Sequence, residues 1–192
     1  MKLSIILAIL LIAIVGYLIL QNSPSGPAIK TNHTISGNQG LLLNEQDLQE
    51  LGMTQVWNET ECQTQKYTTM DMHQIEYNIC NYTINNLSDT WVVIELKKFA
   101  NPEDLNNTYL YESSHLFSPQ GIISVNDYGD QSLFRVNNPN DYMGHLNEPG
   151  VYYYHLWICK NEYLIHITSR GRSKEAGEYV TKIGEQILSK FG

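Results

Sequence analysis

The spacing of apolar and polar positions changes several times along this chain, and each change marks an element. Leu3 to Leu20 is an unbroken apolar run of 18 residues with nothing more polar than Ser4 and Tyr17. As a helix it reaches about 27 Å, enough for a thin or locally adapted bilayer. Residues 21–40, QNSPSGPAIKTNHTISGNQG, show no period and are rich in Asn, Ser, Gly and Pro, which predicts a flexible linker. A folded domain is then expected over 41–192. LLLNEQDLQELG opens it as a short helix, with Asn44 as N-cap, Leu48 and Leu51 on one face and Gly52 as the stop.

Strand-like alternation follows. ECQTQKYT and HQIEYNICNYTI read as two strands around TMDM. In TWVVIELKKF (90–99), Trp91, Val93 and Glu95 alternate with Val92, Ile94 and Leu96; the run is apolar on both faces as far as Ile94, which predicts a central strand. NPEDLNNTYLYESSHL starts a helix, with Asn101 as cap, Pro102 in the first helical position and Glu103 and Asp104 at the positive end of the helix dipole. GIISV and QSLFRV are strands around NDYGD, and GVYYYHLWICKNEYLIHITSRG is a hairpin. Ser173 is expected to begin a last helix in which Ala176, Val180, Ile183 and Ile187 form the apolar stripe. Strands joined by short turns and two longer helices predict an α+β domain: a mostly antiparallel sheet covered by helices.

The hairpin also carries candidate chemistry. A Lys160–Asn161 turn would pair Ile158 with Tyr163, Leu156 with Ile165 and Tyr154 with Ile167 on one apolar face. His155 and His166 would then face each other on the opposite side, close enough to share a metal. His33, His73, His115 and His145 are scattered over helix, loop and linker and supply no third ligand, so no metal or cofactor is expected. The loops Asn126–Asp130 and Asn137–Asp141 carry carboxylates but lack calcium-loop spacing.

Cysteine spacing shows no metal knuckle. With the first hairpin centred on Asp71, Cys62 lies opposite Cys80, Lys66 opposite Glu76 and Tyr67 opposite Ile75. This predicts a Cys62–Cys80 disulfide contributing about 3 kcal/mol, and a free, buried Cys159. Three reduced core cysteines are the alternative.

Charge and the N-terminal run narrow the setting. A net charge of −8, from 12 basic and 20 acidic residues, excludes nucleic acid and anionic membrane surfaces as partners through a general electrostatic field. Lys2 and the amino terminus favour a cytoplasmic N-terminus, so residues 1–20 read as an uncleaved signal anchor with the domain outside. Secretion after signal cleavage is the alternative, but the run exceeds a signal peptide's apolar region and ends in YLIL instead of a small-residue site. The sequons at Asn32, Asn58, Asn81, Asn86 and Asn106 are five where chance gives about two, consistent with a glycosylated exterior.

From LLLNEQDLQELG onward the chain resembles the PsbP-like class of small extracytoplasmic domains of bacteria and archaea. The resemblance is carried by WVVIELKKF leading into PEDLNNTYLYESSHL, the Gly129–Asp130 strand, the KN turn of WICKNEYLIHITS and the C-terminal helix. It implies an α/β/α sandwich and, commonly, a non-catalytic role in assembling or stabilising a membrane-associated complex. The chain departs from the class by lacking a lipid-attachment cysteine and by its expected disulfide, and no family site residue carries over. No catalytic signature is present, neither GxSxG, HExxH, a Walker loop nor a dinucleotide fingerprint. The expected function is therefore a non-enzymatic exterior domain that binds an envelope or membrane protein. The alternatives are a small-ligand or metal-binding domain and, last, a hydrolase of unknown type.

Overall fold

The computed structural model describes residues 35–56, 62–68, 73–142 and 148–192. The expected anchor, Asn32 and Asn58 lie outside these. Among the described residues no helix is long and apolar enough to cross a membrane.

A single sheet of eight strands organises the described residues: β1 (Met53–Gln55), β2 (Gln65–Thr68), β3 (Gln74–Ile84), β4 (Leu87–Lys98), β5 (Ile122–Val125), β6 (Gln131–Val136), β7 (Tyr152–Lys160) and β8 (Tyr163–Gly171). The spatial order is β1-β3-β4-β8-β7-β6-β5, with β2 also on β3, and every pairing among the described residues is antiparallel. The TWVVIELKKF run is central as expected, because β3 and β8 flank it. Among the described residues the α-helices are α1 (Glu45–Leu51), α2 (Pro102–Ser114) and α3 (Ala176–Ser189).

Local chemistry places the helix ends. Asn44 and Asp47 form a reciprocal capping box, and Gly52 ends α1 at φ 62°, a left-handed conformation glycine adopts without strain. Asn101 caps α2 through the Glu103 N–H, with Pro102 first in the helix. Helix α3 begins at Ala176 and not at Ser173, whose hydroxyl instead accepts from the Glu175 N–H in the preceding turn. Ordered packing also starts ahead of the expected boundary at Leu41. Asn38 is fully buried, donating from its side chain to the Leu96 carbonyl, and Asn38–Leu41 forms a short 3-10 helix.

The first hairpin has the expected register, Lys66 opposite Glu76 and Tyr67 opposite Ile75, and Cys62 and Cys80 are joined by a disulfide. Strand β2 is shorter than ECQTQKYT, since regular pairing begins only at Gln65. The second hairpin differs from expectation. Its turn is Asn161–Glu162, so Lys160 pairs with Tyr163, Ile158 with Ile165 and Leu156 with Ile167. Two contacts explain the shift. Asn161 takes the left-handed turn position at φ 54°, and Asp130 holds both the Lys160 ammonium (2.7 Å) and the Asn161 N–H (2.8 Å). Each partner moves by two residues, which preserves strand alternation and leaves the apolar face intact.

Helices α2 and α3 cover opposite faces. On one, Ala176, Val180, Ile183 and Ile187 of α3 pack on Leu156, Ile158, Ile165 and Ile167, joined by Cys80, Tyr82, Val92, Ile94 and Leu96. Helix α3 lies close enough that a Cβ on Gly177 would meet the Tyr154 ring at 2.9 Å. On the other face, Tyr109 and Leu105 of α2 meet Phe99, Trp157, Cys159 and Leu164. Cys159 is free and buried, and burial pushes its thiol up to about 12.

Candidate functional site

The face under α2 carries a line of polar side chains across four strands. Successive rungs place Glu95 beside His166 and His166 beside Trp157; in the next rung Val93 stands beside Thr168, Thr168 beside His155, and His155 beside Arg135. His155 and His166 are therefore diagonal neighbours and not direct cross-strand partners. The structure still brings them together, with Nδ1 of His155 3.2 Å from Nε2 of His166. The Thr168 hydroxyl lies 3.2 Å from the first nitrogen and 3.1 Å from the second. Trp157 stacks on both imidazoles, with centroids 5.2 and 4.5 Å away, and Phe117 covers His155 from the α2–β5 connection.

Glu95 anchors the line. Its Oε2 is 2.8 Å from Nδ1 of His166, and its Oε1 accepts from the Tyr77 hydroxyl at 2.7 Å. Burial pushes the Glu95 carboxyl up, but the hydrogen bond and charge of His166, the Lys97 ammonium and the Tyr77 hydroxyl outweigh it and bring the group to about 2. Glu95 is thus ionised and only accepts, so Nδ1 of His166 carries the hydrogen between them. Tyr77 is shifted far up, by burial and then by Glu95. His155 is driven well below 6.5, first by burial and then by the nearby His166 and Arg135. Its Nε2 is buried with no hydrogen-bond partner among the described residues.

Beside this line a shallow cleft of about 330 Å³ is lined by Tyr67, Ile75, Tyr77, Glu95 and Lys97. The two tyrosine rings meet edge to face at 5.2 Å, and the Lys97 ammonium sits 5.7 Å over Tyr77 while pairing with Glu112. At the other end, Nη2 of the buried Arg135 donates to both carboxylate oxygens of the buried Asp141, at 2.7 and 2.9 Å.

The donor set at the imidazole pair does not fit a metal centre. Two imidazole nitrogens and one hydroxyl converge there, while the Glu95 carboxylate lies on the far nitrogen of His166; a zinc site takes four ligands, or three and a water. Among the described residues no group of three or more His, Cys, Asp and Glu can hold a metal ion. His73 pairs with Asp104 and His115 stacks on Tyr111, while His33 and His145 fall outside the described residues. One carboxylate of each acidic loop is used internally: Asp130 on the β7–β8 turn, Asp141 on Arg135. Of the sequons, Asn86 is exposed in the β3–β4 turn and Asn106 is exposed on α2, whereas Asn81 is partly buried in β3.

Glu95, Thr168 and the Arg135–Asp141 pair were not among the candidates read from sequence. A signal existed for two of them: Glu95 alternates with Trp91 and Val93, and Arg135 interrupts the strand QSLFRV, so each places a charge in a largely apolar strand. Such a charge must find a partner across the sheet.

The fold defines an α+β domain with one antiparallel sheet and helices on both faces. No protein-family model matches the chain, and no curated protein matches it in sequence. Among solved structures it is similar to the crystal structure of the extracellular domain of PknH from Mycobacterium tuberculosis, with a TM-score of 0.43 and 11% identity over 82% of this chain and 99% of that one.

Proposed function

We propose that this chain is a non-enzymatic exterior domain, of the PsbP-like kind and held to the membrane by residues 1–20, that binds an envelope or membrane protein. The observation carrying the reading is the apolar end strand β5, which among the described residues pairs with β6 alone. Ile122, Ile123 and Val125 are 42%, 50% and 53% exposed, and no residue of this four-residue strand is charged. Sheet edges are ordinarily guarded by charge, and an apolar edge suits an added strand from another chain. The Cys62–Cys80 disulfide supports an oxidising compartment, as does the N-terminal apolar run.

A photoreactive residue at position 123 in native membranes tests this, with the same probe at Lys182 on α3 as the control. The expected outcome is one stoichiometric membrane or envelope partner crosslinked from 123 only, and lost in Ile123→Lys. Equal adducts from both positions, or none, refute the reading. The tyrosine-lined cleft supports a second reading, a small-ligand domain, in which Tyr67→Ala weakens ligand binding and the β5 probe captures nothing.

A further inference from the structure

Two segments are tied across the polar face by buried groups that the proposed function does not use. Phe117–Gly121 leads from α2 into β5, and Asn137–Asp141 leaves β6. Asp141 joins them, accepting from the Ser118 N–H (2.8 Å), the Ser118 hydroxyl (3.1 Å) and the Asn138 N–H (2.8 Å) while paired with Arg135. Arg135 donates to the Ser118 carbonyl at 3.1 Å and lies over the Phe117 ring at 4.2 Å. The first segment runs so close that a Cβ on Gly121 would meet the Val136 carbonyl at 2.2 Å. His155 is the cross-strand neighbour of Arg135 and packs against Phe117.

We propose that the His155–His166 contact and the Arg135–Asp141 clasp form a proton-operated latch, in which a proton taken up by His155 unfastens Phe117–Gly121 and Asn137–Asp141 from the sheet. With the His166 hydrogen on Nδ1 toward Glu95, Nε2 of His166 accepts from Nδ1–H of His155 in the 3.2 Å contact, so a proton taken up by His155 goes to its own Nε2. Two features make the closed state incompatible with that proton. A proton on Nε2 of His155 would be a buried donor without an acceptor among the described residues. The new charge would also stand next to the buried Arg135 guanidinium. The charged and titratable groups facing the pair are Arg135 from β6 with its partner Asp141 from the segment that leaves β6, Glu95 and Lys97 from β4, Tyr77 from β3 and, through Lys97, Glu112 from α2. The one carboxylate among these that touches the pair, Glu95, lies on the far side of His166 and cannot neutralise His155 directly. Burial, the nearby His166 and the Arg135 guanidinium keep His155 neutral in the closed state, in line with the geometry.

Amide hydrogen exchange of the full chain at pH 7.5 and 5.5, corrected for intrinsic rates, tests the latch. The amides of Ser118 and Asn138, and that of Tyr142 just beyond, which donates to the Leu116 carbonyl at 2.9 Å, should lose protection by about tenfold for the one unit below the ordinary histidine value of about 6.5, while β3 and β4 hold theirs. His155→Phe, which keeps the ring stack, should hold protection at both pH values. Unchanged protection in the wild type, or equal loss in His155→Phe, overturns the proposal. If His155→Phe does not fold, NMR titration of the wild-type imidazoles decides: His155 titrating near 6.5 without movement of the Ser118 and Asn138 signals overturns it, and coincident titration with those signals supports it.

Discussion

The two faces of this sheet are made by the same strands, yet they hold together in different ways. Under α3 the contact is dry: Val180, Ile183 and Ile187 meet Leu156, Ile158, Ile165 and Ile167, all fully buried. Under α2 the strands present Glu95, His166, Thr168, His155 and Arg135, each bound to a particular neighbour. Burial on the first face is non-directional and depends on area and fit. On the second, a lost partner leaves a polar group unmet in low dielectric. The apolar face should therefore respond to volume and charge, and the polar face to the loss of single atoms and to pH.

Val180→Asp attacks the dry face most severely, because it places an unpaired carboxylate among aliphatic side chains. The expected loss is about 5 kcal/mol or more, enough to leave the domain unfolded at 25 °C. A circular-dichroism melt like that of the wild type would show that position 180 does not face the sheet. Asp141→Ala is the corresponding break on the polar face, stranding the Arg135 guanidinium and the Ser118 and Asn138 N–H groups. A loss of about 3–5 kcal/mol is expected in urea unfolding, and a change below about 1 kcal/mol would remove the clasp from the account of stability.

Acid should separate the faces next. Glu95 is depressed from 4.5 to about 2 in the folded state, so its contribution is complete above 4.5 and is lost as pH falls through 2. The difference amounts to about 3 kcal/mol. Urea midpoints between pH 6 and 2.5 should fall in the wild type, and the gap to Glu95→Gln should narrow as pH falls. A constant gap would mean that Glu95 has no special ionisation. The smallest of these effects belongs to the dry face again: Gly177→Ala pushes a methyl into the Tyr154 ring and should cost about 1–3 kcal/mol by thermal melting. A stabilised variant would show that α3 can lift away from Tyr154 freely.

Much of the architecture was legible because it is written in short-range chemistry. Asn44, Gly52, Asn101 and Pro102 set helix ends through their own backbone and side-chain preferences, and they act as expected. The Cys62–Cys80 pairing was also legible, since Lys66, Tyr67 and both cysteines agree on one register. The second hairpin was read two residues out of register, because the residue that selects its turn, Asp130, comes from a different hairpin 30 positions away from Lys160. The start of α3 was read three residues early because a serine that caps a helix and one that closes a turn look alike in sequence.

What the sequence by itself determined is everything carried by periodicity and local caps: strands β2 to β8 but not the short β1, the central place of β4, the apolar stripe of α3 and the separation of two faces. Only the tertiary structure decided which polar groups meet. Alternation is indifferent to a slip of two residues, so an apolar face survives it with its burial unchanged. A polar contact depends on individual atoms lying within hydrogen-bond reach, and that is settled only when distant strands and loops have packed. His155 and His166 therefore stood out as candidates, while their partners Glu95, Thr168 and Arg135 emerged only with the fold.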